Sequence, residues 1–408
     1  MNRRALLAFV VVALSLAPAA SRTPHSIAKP ARVPTEITIP FELVNRHVVL
    51  QVRVNNSRPL SFVLDTGDKF AVIDLERAKE LGLNLQGELR AAGAGSERPI
   101  GAFVKDSTFT IPGLAGFSQP VNIALPVRNL SSRMGQDFDG ILGSEFIKEF
   151  VLELDYQARV IKLHDKDKFS YTGPGESIPI RLNGAGHPII DGEVTPTGSE
   201  PVKGKFVLDI GSGAALILYS PFVVEHRLLG PNIKTIKAIG GAGAGGETTG
   251  RLGRVAELKI GTFKISNPTT MFSEDKEGAL ASSAILGNIG ARVMSKFRLL
   301  FDYSHDRIIF EPNNTFAETF GRASGGLALV AEGKDYRTFR ITDLLDNAPA
   351  AEAGLQKNDI IAAVDGKPAT ELTLTRLNEM LERPVSYRLT VRRGDQTLHL
   401  TLTPRKLV

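Results

Sequence analysis

The sequence predicts a mainly β chain in which two duplicated β-barrel lobes are followed by a smaller α+β module. Three observations predict it. The hexapeptide Phe62-Val63-Leu64-Asp65-Thr66-Gly67 is echoed 144 positions later by Phe206-Val207-Leu208-Asp209-Ile210-Gly211. Runs rich in valine and isoleucine fill the repeated region, as half-buried strands require. Asn313 to Ser324 then lacks periodicity, and a different pattern begins beyond it.

With 408 residues, 42% hydrophobic and 23% charged, the chain has the apolar content of an ordinary globular protein and the length of two or three domains. It contains no cysteine, which excludes disulfides, zinc-thiolate and iron-sulfur sites and every cysteine nucleophile. Its seven histidines never fall within a helical turn of one another, so no local two-histidine metal motif is present and no metal is expected. Carboxylates and hydroxyls must carry the chemistry.

At the N-terminus, Arg3 and Arg4 precede the apolar run Ala5 to Leu16 and the small residues Ala17-Pro18-Ala19. This reads as a signal peptide over 1–20, with a retained membrane anchor as the alternative, because a twelve-residue run is short for a span. Export to a bacterial periplasm or cell surface is therefore expected, with no stable membrane insertion after cleavage. Without Arg3 and Arg4 the formal charge falls from +5 to +3, too small to argue for nucleic acid. Residues 21–35, with Pro24, Pro30 and Pro34, read as a flexible lead-in.

Lobe 1 is expected over 36–168 and lobe 2 over 175–312. His47 to Val54, Leu60 to Leu64 and Val151 to Leu163 read as strand-like runs, and Leu75 to Leu81 as a short helix stopped by Gly82. The same offset places a helix over Tyr219 to Leu228. A second motif, Gly140-Ile141-Leu142-Gly143, is matched by Ala284-Ile285-Leu286-Gly287, again 144 positions on. Leu154-Asp155-Tyr156 matches Phe301-Asp302-Tyr303 at 147, and Arg159-Val160-Ile161 matches Arg307-Ile308-Ile309 at 148. Each aspartate of the first repeat thus stands at a strand-to-turn junction followed by glycine, where backbone N–H groups can approach a carboxylate. Pseudo-twofold packing of the lobes brings Asp65 and Asp209 face to face. Like charges that close cannot both ionise, so one proton is shared and the pair can act as acid and base.

These residues resemble the aspartic peptidases, both the retroviral half-enzymes and the two-lobed pepsin type, over roughly 36–312. The two Asp-x-Gly turns, the partners Ile141-Leu142-Gly143 and Ile285-Leu286-Gly287, and the segment Ile73 to Leu83 carry the resemblance. It implies that Asp65 and Asp209 hold a water that attacks a peptide carbonyl without a covalent intermediate, that Thr66, Gly67, Gly211 and Ser212 support the dyad, and that no cofactor is needed. Two positions depart from the family pattern. Ile210 lacks the hydroxyl that would complete the cross-lobe brace expected from Thr66. Asp68 stands where a small residue is usual and adds a third carboxylate, disfavouring ionisation of the dyad and implying a less acidic working range. The glycine-rich stretches around Gly93 and Gly95 and around Gly241 and Gly243 correspond to hairpin flaps, with mobile surface loops as the alternative. Two of them look more like the retroviral arrangement than pepsin's single flap.

The last segment, 324–408, resembles a PDZ domain through Asn347 to Lys367, in which Asn358 replaces the usual glycine before Asp359 and tolerates the same left-handed backbone. Thr373 to Leu381 fits a groove helix, with Leu377 on its inner face. The resemblance implies that a peptide adds as a strand beside Arg337 to Ile341, using Phe339 and Ile341, with its C-terminal carboxylate at Gly326 and Leu327. Two functions follow: an exported aspartic endopeptidase whose PDZ-like module recruits or regulates polypeptide substrate, or a peptide-binding protein whose lobes have lost catalysis. A monomer is expected, since one chain holds both halves of the site.

Overall fold

The computed structural model describes residues 36–230, 233–239, 241–320 and 324–408. The signal peptide, the lead-in and Gly240 lie outside the described residues.

The fold is mainly β, and the two lobes contain ten-stranded mixed sheets of the same strand order. In lobe 1 the path runs Asn84–Arg90, Ile100–Lys105, Ile123–Leu125, Ala71–Asp74, Gly140–Leu142, Leu60–Leu64, His47–Val54, Thr108–Thr110, Gln119–Pro120. In lobe 2 it runs Ile236–Lys237, Gly250–Arg254, Thr269–Ser273, Leu216–Leu218, Gly287–Gly290, Val202–Asp209, Pro188–Thr195, Glu257–Ile260, Phe263–Ser266. In both, a short strand is inserted between the two that flank the aspartate turn. Gly140–Leu142 runs parallel to Leu60–Leu64 and antiparallel to Ala71–Asp74, as Gly287–Gly290 does with Val202–Asp209 and Leu216–Leu218. Each aspartate therefore leaves the middle of a sheet, where neighbours on both sides hold its backbone.

The register corrects one expectation. Leu64 lies opposite Leu142, whereas Leu208 lies opposite Ile289. The lobe-2 counterpart of Ile141-Leu142-Gly143 is Asn288-Ile289-Gly290, displaced by 147 positions, and not Ile285-Leu286-Gly287. Strand pairing, not composition, thus sets the equivalence, three residues past the look-alike triplet.

A six-stranded antiparallel sheet is shared by the lobes, in the order Glu36–Pro40, Val160–His164, Val151–Asp155, Phe297–Asp302, Arg307–Pro312, Glu176–Pro179. Lobe 1 and lobe 2 meet at Leu152 opposite Phe301 and Leu154 opposite Leu299, four side chains with no exposed surface. Such burial contributes about 1.5–3 kcal/mol per large apolar side chain, which makes the join a hydrophobic core in its own right. The Val151 to Leu163 run is broken into a hairpin by a turn at Tyr156–Arg159, with Arg159 left-handed at φ 56°. The first short helix, Leu75–Glu80, is capped by the Asp74 carboxylate, which accepts from Arg77 N, and its lobe-2 counterpart is Ser220–Glu225.

Beyond the lobes, Asn313–Phe320 is fastened to lobe 2: Phe316 packs edge-on against Phe263 and Phe297. The buried Lys296 ammonium donates to the carbonyls of Thr315 and Glu318 at 2.8 and 2.6 Å. The C-terminal module is a sheet in the order Leu327–Glu332, Thr338–Leu344, Ile360–Val364, Tyr387–Arg393, Gln396–Leu402, with the helix Leu374–Leu381 capped by Thr373. The peptide-pairing expectation is corrected here. Thr338–Leu344 is interior, paired on both sides, so its N–H and C=O groups are engaged. The open edge is Leu327–Glu332. Phe339, Ile341 and Leu377 have no exposed surface and form the module's core.

Candidate active site

The two aspartate turns cross. A methyl group built on Gly67 would lie 2.9 Å from the Asp209 Cγ, and one on Gly211 only 2.1 Å from the Asp65 Cγ. Each carboxylate thus sits over the glycine of the other turn, and a side chain at 211 has no room. Gly67 N donates to Asp65 Oδ1 at 2.6 Å, and Asp65 N donates to Leu142 O at 2.9 Å, fixing the first carboxylate at its strand end.

Thr66, with no exposed surface, braces the lobes. Its hydroxyl donates to Leu208 O at 2.7 Å and accepts from Ile210 N at 3.0 Å. Ile210 is equally buried but apolar, so the reciprocal hydroxyl brace is absent, as its side chain dictates. Ser212 does not reach the dyad in this arrangement: its hydroxyl accepts from Ala214 N at 3.5 Å in its own loop.

Asn288 supplies a contact that sequence reasoning missed. Its amide donates to Asp209 Oδ2 at 2.6 Å, while Asp209 Oδ1 is buried with no hydrogen-bond donor among the described residues. The signal was available in the 147-residue offset of the strand that follows, which places Asn288 opposite Val207 in the way Ile141 lies opposite Val63.

The electrostatics are set by burial. The Asp65 carboxyl is held well above the ordinary aspartate range by loss of water, then by the Asp209 and Asp68 charges and a hydrogen bond shared with Asp209, against the Gly67 N–H. Asp68 is itself pushed up by burial, although the N–H groups of Phe70 and Lys69 and the nearby His187 oppose this. Burial also raises the Tyr156 and Tyr219 phenols, with Asp209 adding to both. His47 is lowered by burial, against its Val44 carbonyl contact and the Asp209 charge. His47 and His187 occupy equivalent positions, each two residues before a residue that pairs with Val63 or Val207. Lobe 1 presents His47 to the Asp209 turn, 3.6 Å from the position of a Gly213 methyl; lobe 2 presents His187 to Asp68. Neither was anticipated, because equivalence of isolated histidines 140 positions apart becomes visible only through the register.

The glycine-rich tips meet one another. Glu97 N donates to Gly245 O at 2.8 Å and Gly245 N donates to Ala94 O at 2.9 Å. A methyl on Gly95 would approach Gly245 O to 2.1 Å, so backbone contact requires glycine there. Gly93 and Gly243 lie in the same junction, against Ala244 and Ala94, whereas Gly241 faces Thr248 within its own hairpin. A separate cavity of about 290 Å³ lies at the junction of the lobes and the C-terminal module, lined by Asn45, Arg46, Arg292 and Asn378; neither Asp65 nor Asp209 borders it. Among the described residues no cluster of three or more histidine, aspartate or glutamate side chains could hold a metal ion.

Comparison with known proteins agrees with the two-part organisation. The family model for aspartyl proteases matches residues 50–146, and the PDZ domain model matches residues 317–392. The chain therefore carries an aspartyl protease domain and a PDZ domain. A stretch of 67 residues is 30% identical to "Serine protease HTRA1" of Xenopus laevis, and covers 16% of this chain and 14% of that protein. The likeness to that relative thus spans only a small part of either protein.

Proposed function

We propose that the protein is an exported aspartic endopeptidase that hydrolyses extended polypeptide with Asp65, Asp209 and one water. The observation that carries this reading is the crossed packing of the two turns, which brings both carboxyls over each other's glycines in a partly buried setting. Asp65, held above the aspartate range, carries the shared proton and donates it toward the substrate carbonyl. Asp209 takes a proton from the water as the water attacks and passes it to the leaving amine; the C–N bond then breaks, and a hydroxyl of the tetrahedral intermediate returns its proton to Asp65 as the new carboxyl forms. Thr66 ties the two turns together through the Leu208 and Ile210 backbone. The Gly67 N–H and the Asn288 amide hold the Asp65 and Asp209 carboxyls, and the joined flap tips must part for substrate to enter. The PDZ domain recruits or regulates the polypeptide.

The test is incubation of the chain with an unfolded protein between pH 3 and 8, with products read by mass spectrometry. Cleavage by the unaltered chain and a loss on the order of 10³-fold or more in both Asp65→Asn and Asp209→Asn is expected. Cleavage retained by either variant contradicts the dyad, and absence of cleavage at every pH favours the peptide-binding reading, to which the apolar Ile210 already points.

A further inference from the structure

We infer that the peptide groove of the PDZ domain is covered over one half by a lobe-1 segment, Ser131–Asp137, so that a long peptide binds only by displacing this segment. The inference deepens the reading above, resting on the PDZ domain as a peptide site but not on catalysis.

By the PDZ resemblance, a bound peptide would lie between the open edge Leu327–Glu332 and the helix Leu374–Leu381. The short helix Ser131–Met134 of lobe 1 lies against that edge strand. Gly135 abuts Leu374 so closely that a methyl there would come within 2.6 Å of the Leu374 Cβ. Tyr336, in the turn after the edge strand, donates its hydroxyl to Asp137 at 3.2 Å, and Arg337 in the same turn donates to the Leu372 carbonyl. These contacts gather where the helix begins and the edge strand ends. Gly326, with φ +72°, stands at the opposite end. No backbone bond joins lobe 1 to the edge strand among the described residues, so its pairing capacity is covered, not used.

Asn45 clasps the cover in place. Its side chain donates to the carbonyls of Arg133 and Met134, both at 3.1 Å, and accepts from Asn378 of the groove helix at 3.1 Å. Its backbone N–H donates to the Thr375 hydroxyl at 3.2 Å. One side chain thus ties the segment to the helix it covers, in a left-handed turn at φ 45° that glycine also adopts.

Strand pairing advances about 3.3 Å per residue. A tripeptide anchored by its carboxylate at Gly326 reaches about 10 Å and stays within the open half, whereas an octapeptide must enter the covered half. Displacing the cover therefore taxes the affinity of the longer ligand alone.

The experiment measures fluorescence anisotropy of labelled tri- and octapeptides with an apolar C-terminal residue and a free carboxylate, on the full chain carrying Asp65→Asn. That background prevents consumption of peptide and makes the result independent of whether the chain is a peptidase. Adding Asn45→Gly is expected to tighten octapeptide binding at least about threefold and leave the tripeptide unchanged. Tyr336→Phe, a milder change at the other anchor, is expected to act in the same direction. Amide hydrogen exchange across 131–137 should rise when the octapeptide is added. Equal gains for both peptides, no gain for either, no binding by any form, or unchanged exchange would each overturn the inference.

Discussion

The two aspartate turns share one backbone design and differ in what surrounds the carboxylate. Lobe 1 contributes the hydroxyl brace of Thr66, a third carboxylate at Asp68 and an apolar Ile141 on the inserted strand. Lobe 2 contributes an apolar Ile210, a small Ser212 and the amide of Asn288, which donates to Asp209 at 2.6 Å. The brace is thus built from one side only, and the polar donor on the inserted strand from the other. A symmetric pair of turns would treat the two carboxyls alike; here burial, then the Asp209 and Asp68 charges, raise Asp65, and the Asn288 amide is aimed at Asp209. The difference shows how two similar sheets surround equivalent aspartates with different partners: at the adjacent position 66 or 210, at Asp68, and on the inserted strand.

Substitutions that remove or exaggerate this asymmetry have graded effects. Gly211→Ala places a methyl against the Asp65 carboxyl, at a position 2.1 Å from its Cγ. The turns must separate, and cleavage should fall more than 10²-fold, since misplacement of a reacting group by about 1 Å costs that much. Asn288→Leu gives lobe 2 an apolar residue like Ile141 and removes the donor to Asp209; kcat/KM should drop about 10- to 100-fold, matching a hydrogen bond of about 1.5–3 kcal/mol to a charged group. Thr66→Val strands the Ile210 N–H and Leu208 carbonyl, and urea denaturation should show a loss of about 1–3 kcal/mol. Asp68→Asn removes one of the charges that raise Asp65, and the alkaline limb of the pH–rate profile should move to lower pH.

Stability has a matching pH dependence. Because the folded-state value of Asp65 is raised, the native state keeps a proton that the unfolded chain releases above about pH 3.9. The stability this proton confers is whole below that point and is lost as pH rises through the folded value. Asp65→Asn should therefore flatten the decline in thermal midpoint toward neutral pH, a change readable by calorimetry.

Much of this was legible in the sequence because the informative elements are local. The hexapeptide repeat located both aspartates, strand alternation gave His47–Val54 and Leu60–Leu64 within their observed bounds, and the Asn358 substitution correctly signalled a left-handed residue, seen at φ 73°. What escaped depends on register. Ile285-Leu286-Gly287 mimics Ile141-Leu142-Gly143 in composition, but pairing with Val202–Asp209 selects the triplet three residues later, and Asn288 came into view only with that shift. In the PDZ domain, Phe339 and Ile341 read as groove residues because an isolated strand gives no sign of having two neighbours. The cover by Ser131–Asp137 likewise joins segments some 200 residues apart, for which no sequence periodicity exists.

The central claim is that Asp65 and Asp209 share one proton in a single site, and the pH dependence of kcat/KM for a polypeptide substrate tests it most directly. A bell-shaped profile, abolished by Asp65→Asn and by Asp209→Asn alike and with its alkaline limb moved toward acid in Asp68→Asn, is the predicted result. A profile with a single limb, or activity surviving in either single variant, would contradict it.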